Sequence, residues 1–413
     1  MSRLFQGIVC SLTLLLSSVS FAEEVMIGAD PAEADLKLGC MYPLSGSSAL
    51  WGRDAVAGME LALADIAITN EKAPKITAYI SDTMGKAYRS REITQQLLTN
   101  KKVDALCGVV NSAIALETSR IAKQQQILFL GAGHSTSRTT EEELHPWYFH
   151  LNNDASQSMM AGARYLKELQ QFEDWKTLSY IGPDYEYGHQ LWQKLTDSLD
   201  QLGVKYRIKN EFYSLHNENS YETYIKAIAS NPPDILINGH WTQDLVRFVE
   251  QANNAGLLEQ TRFANFDTGG GYFALSRLQD NLPDGLILSA RHHINWPETE
   301  ENQQFVDRFY QQNHRLPTFV AQDAYTVIIA LAEAWQQTPD KNMASIRYTL
   351  EGLQLSLPED PKGFQSWIDP LSHKIMQVQA IGVTARSKDQ ESLAVQLKNW
   401  KLYYPERKPL NDR

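Results

Sequence analysis

The stretch Leu36–Gly58, LKLGCMYPLSGSSALWGRDAVAG, decides the fold of this chain. It begins with an apolar run, LKLGCM, that has the length and composition of a buried strand. The turn-rich segment YPLSGSS follows, and beyond it apolar residues recur at helical spacing. A strand, a loop of small residues and a helix form the first half of a βαβ unit. Ligands of open α/β sheets bind at the carboxyl ends of the strands, where this loop and Trp51 lie.

The same unit recurs along the chain. Further apolar segments of strand length end in small polar loops and alternate with helical periods; the loops are SDT (81–83), NSA (111–113), GAGHSTS (131–137), GPDYEYG (182–188), NGHW (238–241) and FDTGGG (266–271). This alternation predicts parallel, doubly wound α/β sheets. Because the alternation of strands and helices starts again after Asn152, we expect two similar lobes with a cleft between them.

The C-terminal part continues with helical periods over 300–312, 318–335 and 342–351. Phe364–Ile368 and Ile375–Val383 are then expected to form the two arms of a closing hairpin. Asp369 and Pro370 begin the turn between them, since both residues favour turns over strand interiors. The tail 401–413, rich in Lys, Arg and Pro, is expected to be loosely ordered.

Composition limits the class of protein. A chain of 413 residues is too long for one core and suggests two domains. Its formal charge of -11 argues against non-specific binding of nucleic acid or anionic lipid. The sequence has no basic stripe, zinc-type cysteine pairing or Walker-type loop, so we expect no nucleic-acid partner, metal or cofactor.

Residues 1–22 have the features of a cleaved secretory signal. Arg3 provides a positive start, 8–16 are mostly apolar, and Ser20-Phe21-Ala22 provide small residues at a cleavage point. The alternative is a membrane anchor, for which the apolar core is short because a span needs about 20 residues. We therefore expect an exported, soluble protein.

Cleavage leaves Cys40 and Cys107 in an oxidising compartment. Both fall in predicted buried strands, and neighbouring parallel strands seldom orient two Cβ atoms toward each other. Two buried free thiols are therefore the expectation.

Several of these segments together resemble a known family. PLSGSSALWGRDAVAGMELALADI, CGVVNSA, GPDYEYG, NGHWTQDL and PTFVAQDAYTVIIAL, in this order, are similar to the type I periplasmic binding proteins of the leucine/isoleucine/valine class. These are the substrate-capturing components of ABC importers. The resemblance implies two doubly wound parallel-sheet lobes joined by a three-crossover hinge. It implies an N-lobe of 35–152 plus 291–372 and a C-lobe of 153–290 plus 373–400.

The resemblance also implies how an amino-acid-like ligand would be bound. Ser112 falls on the serine that binds the ligand carboxylate, and Asp267 falls near the acidic residue that binds its ammonium. His134 replaces the family's threonine. The alternatives are that Ser112 is only a helix N-cap and that Asp267 only caps the turn before Gly269.

Aromatic residues of the family's pocket fall on Trp51, Tyr187 and Trp241. Their rings could stack on an apolar or aromatic ligand or face a cation. Ordinary packing is the alternative for each of them. Together with His134, the large rings leave a bulky, flat or cationic ligand as plausible as a branched aliphatic amino acid.

Other functions find less support in the sequence. His292-His293 invites a metal interpretation, but adjacent strand residues point to opposite faces, so a surface or packing role is expected. No Gly-x-Ser-x-Gly or His-Glu-x-x-His motif is present, and an enzyme is not expected. The sequence thus predicts a monomeric periplasmic receptor that closes about its hinge on a small molecule and delivers it to an ABC permease. A ligand sensor with the same fold is the main alternative.

Overall fold

The computed structural model describes residues 24–69, 72–387 and 393–407, and the predicted signal 1–22 lies outside them. The strands are β1 (Glu24–Gly28), β2 (Leu36–Tyr42), β3 (Ile76–Asp82), β4 (Ala105–Gly108), β5 (Leu128–Gly131), β6 (Tyr148–His150), β7 (Thr177–Pro183), β8 (Arg207–Ser214), β9 (Ile235–Asn238), β10 (Arg262–Asn265), β11 (Ile287–Ser289), β12 (Gln354–Leu355), β13 (Ser366–Ile368), β14 (Ile375–Met376), β15 (Gln379–Arg386) and β16 (Val395–Tyr403). The helices are α1 (Ala49–Thr69), α2 (Ala87–Gln96), α3 (Ser112–Gln125), α4 (Arg138–Glu141), α5 (Ala155–Leu169), α6 (Glu186–Gln201), α7 (Glu222–Ala229), α8 (Thr242–Asn254), α9 (Tyr272–Leu278), α10 (Glu300–Asn313), α11 (Phe319–Gln337) and α12 (Met343–Leu350). Among these helices, none combines the length and hydrophobicity that a membrane span requires.

One of the two lobes, the N-lobe, is built on a six-stranded sheet in the order β1-β3-β2-β4-β5-β6. All neighbours pair in parallel except the edge strand β1, which runs antiparallel to β3. The strands β2, β3, β4 and β5 are almost entirely buried, as parallel strands covered on both faces must be. The opening stretch of the sequence therefore forms the predicted strand, loop and helix at the centre of this lobe.

The second half, the C-lobe, is built on a seven-stranded sheet in the order β16-β15-β11-β10-β9-β7-β8. Strands β7 to β11 pair in parallel, whereas β15 and β16 close the sheet with antiparallel pairs. The two parallel-sheet lobes confirm the predicted α/β class.

Within the described residues, the chain passes between the lobes three times. The crossovers lie between β6 and α5, between β11 and α10, and between β14 and β15. The helices α10, α11 and α12 follow the second crossover and pack on the N-lobe, where α1 lies against α10 and α11. The C-lobe is thus inserted into the N-lobe.

The predicted C-terminal hairpin is correct next to its turn, but its second arm does not continue as predicted. Strand β13 pairs antiparallel with β14 around Asp369-Pro370, but the second arm is interrupted after Met376. The chain then enters the C-lobe as β15. Residues 375–383 are apolar on both sides of this crossover, because one end is buried in the N-lobe core and the other in the C-lobe core. The periodicity of the sequence therefore does not show where the strand is interrupted.

Three expected boundaries also change. Strand β1 lies before the expected start of the N-lobe at 35, and β14 joins the N-lobe core through Ile375 rather than the C-lobe. The expected tail 401–413 begins inside β16, which is held by its pairing with β15 as far as Tyr403. Beyond 407 the expected tail lies outside the described residues.

The expectation of two free thiols is wrong. Cys40 and Cys107 form a disulfide between β2 and β4, with their Cα atoms 4.4 Å apart. The two residues are direct partners in the register of the parallel pair and lie in the same buried cluster, so their side chains point to the same face of the sheet. Adjacent parallel strands therefore bring these two sulfur atoms together.

Candidate functional site

A small cavity of about 30 Å³ lies between the lobes, where the carboxyl ends of their parallel strands face each other. Its walls contain three of the predicted residues, Ser112, Tyr187 and Trp241. The full lining is Val110, Asn111, Ser112, Gly133, Ser135, Tyr185, Tyr187, Trp241, Thr268, Arg291 and Phe319.

The start of helix α3 forms one wall of this cavity. The Asn111 side chain is the N-cap and accepts hydrogen bonds from the backbone N–H groups of Ala113 (2.9 Å) and Ile114 (3.2 Å). The N-cap interpretation of Ser112 is therefore wrong, because Ser112 is the first residue of the helix. Its hydroxyl lies at the positive end of the helix dipole, where an anion is favoured.

Aromatic rings from both lobes meet beside the cavity. The Trp51 ring of the N-lobe lies 5.9 Å from the Trp241 ring of the C-lobe and 5.3 Å from Phe319. Trp241 makes an edge contact with Tyr187 and donates its indole N–H to the Tyr185 hydroxyl at 2.6 Å. Trp51 is buried behind Trp241 and lines a smaller adjoining cavity. The predicted tryptophans thus lie together, with Trp241 facing the cavity and Trp51 supporting it.

Asp267 is buried and surrounded by donors. Its carboxylate accepts hydrogen bonds from the hydroxyls of Ser158 (3.0 Å), Ser135 (3.3 Å) and Tyr187 (2.9 Å), and it forms an ion pair with Arg291 at 3.0 Å. It does not cap the following turn.

That turn is capped by Asn265. The Asn265 side-chain oxygen accepts from three successive backbone N–H groups, those of 267 to 269. The turn-cap alternative for Asp267 is therefore wrong.

Arg291, which was not among the predicted site residues, also lines the cavity. It follows strand β11 at the second crossover and is buried. Its guanidinium donates to the Gly133 carbonyl at 2.9 Å and to Asp267, and it lies 4.7 Å from the centre of the Phe319 ring. Among the described residues, none accepts a hydrogen bond from its Nε–H. Arg291 follows the end of β11, so the strand-end pattern that identifies the other loops also applies to it.

His134 is placed away from the cavity. Its ring shares a hydrogen bond with the Tyr148 hydroxyl at 2.9 Å and packs 4.2 Å from the His150 ring. Burial, together with the charges of His150 and Arg291, holds the pKa of His134 well below its usual value, so the ring is neutral. The neighbours of His134, Gly133 and Ser135, line the cavity instead.

Another buried carboxyl group contributes to the electrostatics. Burial raises the pKa of Asp323 on α11 to about 8, although the charge of Arg291 lowers it. Asp323 is therefore largely protonated at neutral pH, and the Arg291–Asp267 pair leaves the immediate surroundings without net charge. His292 and His293 are both buried and bonded to Asn302 and the Ala380 carbonyl, which confirms a packing role.

Further contacts hold the lobes together across the cleft. Gln190 of the C-lobe accepts from the Thr136 hydroxyl at 3.2 Å, and Glu186 forms an ion pair with Arg138 of the N-lobe at 3.2 Å. Together with the Ser135–Asp267 hydrogen bond, these contacts describe a closed arrangement. A solute in this cavity would be enclosed by both lobes.

Comparisons with known proteins agree with this architecture. Residues 35–388 match a family model described as periplasmic binding protein. A Leu/Ile/Val-binding protein homolog 8 from Brucella suis biovar 1 (strain 1330) is 23% identical over 367 residues, covering 84% of this chain and 86% of the relative.

Solved structures are similar over nearly the whole chain. An amino acid ABC transporter substrate-binding protein from Pseudomonas fluorescens Pf-5 has a TM-score of 0.79 at 17% identity, covering 92% of this chain and 98% of that one. An ABC transporter solute-binding protein from Rhodopseudomonas palustris BisB5, solved with 3,4-dihydroxybenzoic acid, has a TM-score of 0.76 at 18% identity, covering 91% and 98%. At these identities the similarity concerns the fold.

Proposed function

This chain belongs to the periplasmic binding proteins of the leucine/isoleucine/valine class, the substrate-binding proteins of ABC transporters, and we propose that it captures a small organic carboxylate between its lobes and delivers it to a membrane permease. The family consists of solute-binding proteins rather than enzymes. Its members are periplasmic, which agrees with the predicted signal at 1–22.

The observation that carries the proposal is the excess of hydrogen-bond donors around the cavity. Arg291 has five N–H groups and no acceptor, and its buried Nε–H has no hydrogen-bond partner in the part of the chain that the structure describes. The buried Thr268 hydroxyl likewise has no hydrogen-bond partner among residues 24–69, 72–387 and 393–407. Because an unmet buried donor is costly, a solute that brings acceptor oxygens into this space is favoured.

Helix α3 supports the same chemistry. Its N-terminal residues Asn111 and Ser112 line the cavity, and a helix N-terminus favours a negative group. Ser112 is thus proposed to bind a carboxylate oxygen from the N-lobe, while Arg291 binds the carboxylate from the hinge.

The aromatic walls favour a flat body attached to the carboxylate. Tyr185, Tyr187, Trp241 and Phe319 surround the cavity, and such rings pack well against flat apolar groups. A structural neighbour solved with 3,4-dihydroxybenzoic acid shows that this fold accepts a ligand of that type.

The other predicted residues receive supporting roles in the proposal. Trp51 packs behind Trp241, and Asp267 holds the Arg291 guanidinium in place. The His134 carbonyl accepts from Asn152 at 2.8 Å and so fixes the loop that carries Ser135. Hinge closure would then bury the solute, which stabilises the closed form by its contacts with both lobes.

A thermal-shift screen of small carboxylic acids, each paired with its uncharged primary amide, tests the proposal. We expect acids with a flat apolar body to raise the melting temperature and their amides to have little effect, because the amide lacks the charge that Arg291 binds. Absence of binding by every acid, or equal binding of the amides, would refute the proposal.

Replacement of one ring tests the location. We expect Trp241→Ala to weaken binding of the best acid by about tenfold or more, because a large central ring is lost from the cavity wall. Isothermal titration calorimetry measures the effect. Phe172→Ala, at a ring that is 81% exposed on the surface, is the matched control. Equal affinities of the Trp241 variant and the control would contradict the assignment.

A further inference from the structure

The acceptor capacity of Asp267 is already filled by the protein. An ionised carboxylate offers about four lone-pair positions to donors. Asp267 receives four donors, the hydroxyls of Ser135, Ser158 and Tyr187 and the guanidinium of Arg291. An ammonium group of a ligand would therefore have to displace one of them.

Displacement would be unfavourable at this position. Asp267 is 1% exposed and Arg291 is 6% exposed, so separating them would leave a buried guanidinium without its counter-ion. Losing one partner of a buried ion pair is strongly destabilising. The remaining bond of Arg291, to the Gly133 carbonyl, carries no compensating charge.

Arg291 thus occupies the position in which a ligand ammonium would meet Asp267. The guanidinium satisfies the carboxylate from within the chain, and Arg291 also lines the cavity. In an amino-acid receptor, this part of the cavity wall would bind the ammonium group of the ligand. Here it presents the hydrogen-bond donors of Arg291 instead.

We infer that the solute is a carboxylate without an ammonium group, and that the Arg291–Asp267 pair excludes α-amino acids from the site. This inference rests on the proposed function and narrows its class of ligand. Arg291 is the specificity-determining residue, because its positive charge occupies the position that the ammonium group of an amino acid would take.

Matched pairs of ligands test the inference on the wild-type protein. The probes are 3-phenylpropanoate with phenylalanine, 4-methylpentanoate with leucine, and phenylacetate with phenylglycine, titrated by calorimetry. Within a pair the carbon skeleton is the same and only the ammonium differs. We expect the better-fitting acid to bind at least tenfold more tightly than its amino acid, a ratio that corresponds to about one unmade buried polar interaction.

Two variants locate the cause. Tyr187→Phe removes one donor to Asp267 at the cavity wall and opens an acceptor position there, so the preference for the acid should fall at least threefold. Ser158→Ala removes a donor from the same carboxylate at a residue that does not line the cavity, and it should leave the ratio unchanged. Both substitutions keep the ion pair, which avoids the folding defect expected of a direct replacement of Arg291.

The outcomes separate the two proposals. Equal or tighter binding of the amino acids would overturn this inference and leave capture of a carboxylate standing. Absence of binding in both arms would overturn the proposed function and this inference with it. An unchanged ratio in Tyr187→Phe would overturn the assignment of the selectivity to Asp267.

Discussion

Breaking the Cys40–Cys107 disulfide should lower the free energy of unfolding of the N-lobe by about 4 kcal/mol. The bond joins residues 67 positions apart, and closing a loop of that length removes chain entropy from the unfolded state. In the loop-entropy model the effect is about 3 kcal/mol for 15 residues and about 4.7 kcal/mol for 100, so this loop falls near the upper value.

The folded structure should survive the loss. Strands β2 and β4 are hydrogen-bonded neighbours on either side of the disulfide, and both cysteines are buried in a continuous core. The effect should therefore lie in the unfolded state, and the native fold should keep its circular dichroism spectrum.

Hydrogen exchange measured by mass spectrometry at increasing urea concentrations tests this prediction. The oxidised protein is compared with wild-type protein that was reduced in denaturant and refolded with a thiol reductant present, because the two differ only by the disulfide and the two thiol hydrogens. Peptides from β2 and β4 report on the N-lobe, and peptides from β7 and β9, which contain no cysteine, serve as the internal control. An N-lobe change below about 1 kcal/mol would refute the loop-entropy reasoning, and an equal loss in both lobes would refute its restriction to the N-lobe.

Two further predictions concern stability. Partial burial raises the pKa of Glu141, but ion pairs with Lys374 and Lys194 outweigh this and lower it to about 2, below its unfolded value of 4.5. Its stabilising contribution is therefore present above pH 4.5 and lost as the pH falls toward 2, so Glu141→Gln should flatten the acid limb of the melting temperature between these values. Gly58→Ala should destabilise the protein by about 1–3 kcal/mol, because a Cβ at Gly58 in α1 would overlap the Ala321 carbonyl of α11. Helix propensity alone predicts a gain, so a raised melting temperature would contradict the packing argument.

Much of the cavity wall could be predicted from the sequence, because the position of a loop at the end of a strand is visible in the local sequence pattern. Each apolar strand ends in a small polar loop, and parallel strands bring all such loops to one edge of the sheet. Ser112, Tyr187 and Trp241 were selected by their loops and by family resemblance, and they line the cavity. Arg291 follows the same rule, since it lies just after the end of β11, although it was not among the predicted site residues.

The partners of the buried charges could not be predicted. Asp267 was predicted to bind a cationic group of the ligand. It instead accepts from four donors of the protein, which lie between 24 and 132 residues away in sequence. Such partners depend on how the lobes close on each other. The same holds for His134, whose ring turns toward Tyr148 because the N-lobe offers it a buried hydroxyl there.

By itself, the sequence determined the alternation of strands and helices, the two-lobed α/β class and the position of the binding loops, since these follow from the period of buried side chains and from the preference of turns for small polar residues. Only the tertiary structure decided that Cys40 faces Cys107, that the C-terminal hairpin divides between the lobes, and that Arg291 satisfies Asp267. Each of these depends on the register or orientation of segments that are distant in the chain. No local pattern encodes that geometry, because it arises from packing all the elements together.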